Sequence, residues 1–537
     1  MGKDTSDKYS AMILRYLVFN ALAVLILSGC NTAKHHNSLI DDTWMKATTD
    51  SIVRSIQAPA IPGRVIDLVD FSGHTPDAEG HYDYRTDIQD AIDQLASAGG
   101  GTLLFSHSKG PEYWLKTTEV YRVDGPIELR SNIQLLFDTN TRLQFVFNPE
   151  NYLHNGKGVL LRYEGTTVYS FSPLIRAFKV NNVKISARPG SGAMPVIDGD
   201  GEKWVDWSMN GEDQRKASGR LASYEKVREV NHEGLPLNER HFDRIGRDFL
   251  RPPLLQFFLC KNVMVEGIKL NNSPFWVVHP VFSENLIFRD LFYDSNNVNN
   301  DGVDVETSKN VLIENINFYN HDDNVVIKAG RDREGREGLT IAETELGNFN
   351  SSFIHNGILG GPTTRVVVRN CIFKGHHAFC IGSEMSGGAH DIYVHDCQSI
   401  QNVYQGVYLK SSRKRGGEIS HIYIKNLRFN YLKADVISII PNYDKDTTSP
   451  WPPLIKNIYL ENIHAVNAGN GIRVFGWFDR PTENIFLDGI VVDSIRGKRF
   501  SYGQVENLRL RNVEIMGKTL DGTYNLVDKN INTPVTR

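Results

Sequence analysis

Residues 284–328 read ENLIFRDLFYDSNNVNNDGVDVETSKNVLIENINFYNHDDNVVIK. Asn285-Leu286 and Asn310-Val311 each open a short alternating apolar run, and the same opening recurs at Asn182-Val183, Asn262-Val263, Asn457-Ile458, Asn484-Ile485 and Asn507-Leu508. Variants stand at Arg365-Val366, Asp391-Ile392 and His421-Ile422, and from Asn262 onward adjacent copies are often 23 to 30 residues apart, with longer intervals around insertions. A coil of that length, holding two or three short strands, cannot bury its apolar face alone and must stack on its neighbours. The fold expected is all-β, a right-handed parallel β-helix whose coils rise by about 4.8 Å, the interstrand spacing. A leucine-rich repeat needs a tighter leucine framework and a propeller a longer unit.

Upstream of the coils, Ile88, Ala91, Ile92 and Leu95 fall at helical spacing, Thr86 and Gln89 have capping-box spacing, and Gly99-Gly100-Gly101 ends the run. This pattern predicts an N-terminal capping helix shielding the first coil. Residues 31–62 are polar without sustained periodicity and read as a flexible tether. Before them Lys3, Lys8 and Arg15 precede an apolar run from Tyr16 to Leu27, then Ser28-Gly29-Cys30. That layout reads as an export signal, the run being too short to span a bilayer well, and the small residues before Cys30 resemble the bacterial lipobox, which implies Cys30 as the acylated residue. The expected organisation is a lipoprotein signal over 1–30, the tether over 31–62, a β-helix catalytic domain over 63–520 and a tail over 521–537. A charged stretch over 205–250 breaks the repeat and is expected as an inserted loop shaping the binding face.

The net charge of −4, with 23% charged and 40% hydrophobic residues, gives no global attraction to nucleic acid. Besides Cys30, the chain has Cys260, Cys371, Cys380 and Cys397 with no CxxC pair, so neither a zinc site nor a disulfide framework is suggested. No metal and no cofactor are expected. Cys371 and Cys397 occupy the same place in successive copies, as inward-facing buried thiols would.

Aligning the coils by their apolar strands puts Asp301, Asp323, His377 and Gln405 in one column, with Asn300, Asp322, His376 and Tyr404 beside it. Carboxyls that close cannot all ionise cheaply, so at least one pKa should rise. One proton-bearing carboxyl and one carboxylate are what glycoside hydrolysis requires. The plain alternative is that these residues only cap turns by bonding local backbone.

These residues resemble the polygalacturonases, glycoside hydrolase family 28, over most of the chain after residue 65. The family's NTD motif resembles Asn299-Asn300-Asp301, its GDD motif His321-Asp322-Asp323, its GHG motif Gly375-His376-His377, and its RIK motif Tyr408-Leu409-Lys410. Asn272-Ser273-Pro274-Phe275-Trp276 resembles a further family segment, and Gly382-Ser383-Glu384-Met385-Ser386-Gly387-Gly388 is similar to the exo-acting branch. The resemblance implies an inverting hydrolase of pectin-like acidic polysaccharide, with Asp322 as general acid, Asp301 and Asp323 holding the attacking water, and His376 tuning the acid. Lys410 is implied to bind a substrate carboxylate; Tyr408, Asn299, Lys328 and Glu384 complete the expected substrate-binding set.

Arg331, Arg333, Arg336, Arg413, Lys414 and Arg415 follow the active strands and are expected to make the groove basic. Tyr408 stands where the family has Arg, which removes a guanidinium fork and opens the choice of substrate, including rhamnogalacturonan or another acidic glycan. A polysaccharide lyase using calcium and a non-catalytic glycan-binding protein on the same scaffold are the other readings. The partners expected are an acidic polysaccharide or oligosaccharide and a membrane reached only through the lipid anchor, for a monomeric, exported bacterial lipoprotein.

Overall fold

The computed structural model describes residues 38–71, 82–107, 118–340 and 350–528. The export signal and Cys30 lie outside the described residues. The chain winds as a right-handed parallel β-helix, the hand that parallel crossovers adopt.

The recurring motif is the physical origin of the stack. Its first apolar residue forms a ladder through consecutive coils, Val183, Val263, Leu286, Val311, Val366, Ile392, Ile422, Ile458, Ile485 and Leu508, paired in parallel register and buried in one continuous core. The Asn before it turns the chain with a left-handed backbone, φ 56° at Asn182, 56° at Asn262, 61° at Asn285 and 54° at Asn310. Asn tolerates that conformation better than other residues with a side chain. Its amide also bonds the coil below: Asn262 Nδ2 to Asn182 Oδ1 at 2.9 Å, Asn285 to Asn262 at 2.9 Å and Asn310 to Asn285 at 3.1 Å. Each coil thereby seals its turn while burying aliphatic side chains at roughly 1.5–3 kcal/mol apiece. Cys371 and Cys397 are free buried thiols in adjacent coils.

The helix Arg85–Ser97 caps the first coil, with Ile88, Ala91, Ile92 and Leu95 fully buried in the core. The capping box does not form. The helix has no side-chain N-cap, and Gln89 instead bonds the Glu128 backbone of the first coil in both directions, at 3.1 and 2.9 Å.

Residues 38–62 are not a free tether. The helix Asp42–Ser55, N-capped by Asp41, lies against the outer face of a sheet, where Ile40, Met45, Ile52 and Ile56 pack on Met264, Ile287, Leu312, Val367 and Tyr393. Those five strand residues are in register, so the outward side of the coils carries an apolar stripe that water would otherwise wet. The 205–250 insertion is also ordered differently from a loop, as the helices Gly201–Ala217 and Ser223–Glu233. At the far end the strand Gly522–Leu526, expected as tail, pairs antiparallel with Val505–Arg511 and covers an exposed edge.

Candidate active site

One sheet of eleven parallel strands carries the chemistry. Its strands Val303–Glu306, Val325–Lys328, His377–Ile381 and Gln405–Lys410 pair with Val303 opposite Val325, Val325 opposite Phe379 and Phe379 opposite Val407. Extending that register two residues back aligns Asp301, Asp323, His377 and Gln405, the column read from the sequence. Gly302 lets the strands close at this point, since a Cβ there would stand 2.3 Å from the Asn324 carbonyl oxygen. Asn320 then fastens the turn, its Nδ2 donating to the carbonyls of Asn300, Asp322 and Asp323 at 3.0 to 3.1 Å.

The three acids stand in different surroundings. Asp322 is 26% exposed, with its Oδ1 3.5 Å from His376 Nδ1. Asp323 is buried: His377 Nδ1 bonds its Oδ1, Cys380 Sγ lies 3.1 Å from the same oxygen, and Lys410 Nζ donates to Oδ2 at 2.9 Å. Burial alone pushes the Asp323 carboxyl up, but the Lys410 ammonium and His377 overturn it and hold it well below the ordinary range. Asp301 moves the other way. Burial and the neighbouring Asp304 push it well above the ordinary range, Asp322 and Asp323 add to the effect, and the Lys328 ammonium opposes it. Asp304 is likewise raised, chiefly by burial.

Lys328 links this acid pair to the rest of the groove. Its Nζ lies 3.5 Å from Asp301, 3.4 Å from Asp304 and 3.2 Å from Glu384, and 4.0 Å above the Trp276 ring. Glu384 also pairs with Arg331, which bonds Glu164. Burial would raise the Glu384 carboxyl, but Lys328 and Arg331 hold it well below the usual range.

The groove is less basic than its arginines imply, because their charge is spent on carboxylates: Arg331 on Glu384, Arg333 on Glu337, Arg413 on Asp479 and Arg415 on Asp332. Arg336 bonds the Lys414 carbonyl and stacks on Trp451. Asn299 is also taken up, accepting from Arg251 at 2.8 Å, and Asn300 is wholly buried, clamping the Ser273 and Phe275 carbonyls. Tyr408 does reach the site, edge-on to the His377 ring at 5.3 Å, with Lys410 Nζ 5.1 Å from its centroid. Lys410 also lies 5.4 Å from the Tyr443 ring.

The structure thus gathers Asp301, Asp322, Asp323, His376, Lys328, Glu384, Tyr408 and Lys410, and diverts Asn299. Two members of the cluster were passed over in the sequence. Asp304 sits three residues after Asp301, and Cys380 three after His377, each followed by a residue facing the core; strand alternation alone places both outward.

The helical insertion walls this region. Arg228 pairs with Glu164 at 2.7 Å, and Asn231 bonds Thr166, the Arg331 carbonyl and the Glu334 amide at 2.9 to 3.0 Å.

Residues 248–515 match the sequence profile of Glycosyl hydrolases family 28. A probable polygalacturonase of Vitis vinifera is 26% identical over 252 residues, 45% of this chain and 47% of that protein, so the match spans about half the length of that relative. A polygalacturonase of Ralstonia nicotianae is 24% identical over 560 residues, covering 95% of this chain and 94% of the relative. Among solved structures, the hyperthermoactive exopolygalacturonase from Thermotoga maritima superposes with a TM-score of 0.73 at 29% identity, covering 90% of this chain and 99% of that one.

Proposed function

Because the chain belongs to glycosyl hydrolase family 28, we propose that it releases galacturonic acid, or a related uronic unit, from the end of a pectin-like acidic polysaccharide, with inversion at the anomeric carbon. One observation carries the reading: adjacent coils hold Asp301 toward its protonated form and Asp323 toward its ionised form. Environments that push neighbouring carboxyls apart leave Asp323 free to take a proton from water while Asp301 keeps its own, with Asp322 beside them as the accessible donor.

Asp322 has the access needed to donate a proton to the leaving oxygen, and His376 at 3.5 Å steadies the carboxylate left behind. Asp323, held ionised by Lys410, draws the proton from the attacking water. Asp301, bearing a proton through its partnership with Asp304, orients that water. The sugar carboxylate is met by Lys410, whose ammonium has donors to spare beyond Asp323.

The exo mode draws support from the insertion, which walls the groove beside Arg331, and from the likeness to an exopolygalacturonase. Digestion of polygalacturonan followed by mass analysis tests it: saturated monomer as the first product is expected. A ladder of mid-sized oligomers contradicts the exo mode, and unsaturated products contradict hydrolysis.

A second substrate reading, rhamnogalacturonan or another acidic glycan, is favoured by Tyr408, which puts an aromatic ring where a second cation would fork a carboxylate. Ranking wild type against Tyr408→Arg across acidic glycans tests it, an unchanged ranking counting against it. We also propose that the protein is exported and acylated at Cys30; metabolic labelling with a fatty acid that is lost in Cys30→Ala is the check.

A further inference from the structure

The donors around Asp323 differ from those a purely acid–base site needs. Asp323 Oδ1 faces the imidazole Nδ1 of His377 and, at 3.1 Å, the thiol of Cys380. All the ligand atoms of this trio lie within 4.8 Å of one another, as do those of Asp322, His376 and His377. The two groups share His377. Tetrahedral zinc, with bonds of about 2.0–2.3 Å, separates its ligand atoms by about 3.3–3.8 Å. Small rotations of these side chains reach that spacing.

We propose that this cluster is an inhibitory site for a thiophilic divalent cation, zinc above all, held by Asp323, His377 and Cys380, with Asp322 at the open side. Mixed nitrogen, sulfur and carboxylate donors select zinc or cobalt over calcium and magnesium, which take oxygen shells. Binding releases to solvent the Cys380 thiol proton, since a coordinating thiol is deprotonated, while the His377 proton passes from Nδ1 to Nε2 so that the neutral imidazole binds through its bare nitrogen. Lys410, at 2.9 Å from Asp323 Oδ2, supports the carboxylate from behind, so that Oδ1, which faces His377 and Cys380, is the oxygen turned to the ion. Asp322 lends the entry path, being the exposed member of the group. An ion seated there occupies the carboxylate that activates water. The inhibition rests on the hydrolase reading, whereas the binding does not.

The test is titration of the full-length protein with Co²⁺ followed by absorption spectroscopy, with Zn²⁺ affinity measured by calorimetry, on wild type, Cys380→Ser and His377→Gln. Expected are one ion per chain, a near-ultraviolet thiolate-to-cobalt band, its loss in Cys380→Ser, and Zn²⁺ affinity at least about tenfold weaker in both variants. Wild type lacking the thiolate band, or variants binding zinc as tightly as wild type, overturns the site whether or not a variant folds poorly. In activity assays zinc is expected to inhibit wild type and magnesium to leave it unchanged; equal inhibition by both overturns the proposal. A thiolate band in a protein that hydrolyses no pectic substrate keeps the site and removes the hydrolase reading.

Discussion

Lys410 Nζ and Asp323 Oδ2 stand 2.9 Å apart, although their strands are separated by the intervening strand His377–Ile381. The stack of coils, and not local sequence, makes this pair. The ammonium keeps the carboxylate ionised against its burial, so it serves the base before it serves any substrate. Lys410→Met is therefore expected to lower kcat, and not only raise KM, by about 100-fold or more, the scale of losing one charge-stabilising donor. Steady-state kinetics on polygalacturonan check it; a change confined to KM assigns Lys410 to substrate binding alone.

Asp301 and Asp304 face Lys328 together at 3.5 and 3.4 Å. Removing the Asp304 charge in Asp304→Asn lets Asp301 ionise at lower pH, because the largest of the neighbouring charges that raise it is gone. The pH profile of kcat/KM is expected to move toward acid. No movement, or movement toward alkali, contradicts the shared-proton account.

Beneath the groove, Arg162 Nε donates to Glu306 at 2.6 Å and His279 Nε2 lies 3.0 Å from its other oxygen. Burial would raise Glu306, but Arg162 and His279 bring it down from 4.5 to about 2. A depressed folded-state pKa contributes stability above the unfolded value and loses it as pH falls through the folded one. The window is therefore pH 4.5 to about 2. Glu306→Gln is expected to cost roughly 1.5–3 kcal/mol at neutral pH, because Arg162 loses one of its two buried carboxylate partners and keeps Glu334. It is also expected to flatten the stability loss in that acid window. Urea melts at pH 7 and pH 3 measure both.

The repeat was legible because its cause is local. Asn supplies the left-handed turn and the apolar alternation supplies the ladder, so the register that aligns Asp301, Asp323 and His377 follows from the sequence. The fates of the cations were not legible. Arg413 finds Asp479, and Arg415 finds Asp332, over sequence separations that no motif encodes. The docked N-terminal helix left a short trace, Met45, Thr49, Ile52 and Ile56 recurring at helical spacing in an otherwise polar stretch, and Met264, Ile287, Leu312 and Val367 point outward from their strands and need cover.

That cover is testable. Ile52→Asp places a charge against Leu312 and Val367, and is expected to lower stability by roughly 2–4 kcal/mol while leaving kcat within about twofold, since the helix sits on a different sheet from the acids. Thermal melts and kinetics together decide it; an intact melting temperature argues that the helix is not bound.

The division of labour among the acids is tested most directly by Asp322→Asn, which keeps the shape and removes the proton. In that variant kcat is expected to fall by about 10²–10⁴-fold, the worth of a positioned general acid, while binding of an oligogalacturonide, measured by calorimetry, stays within a few fold. Near-normal turnover would contradict it, and so would binding lost in step with activity.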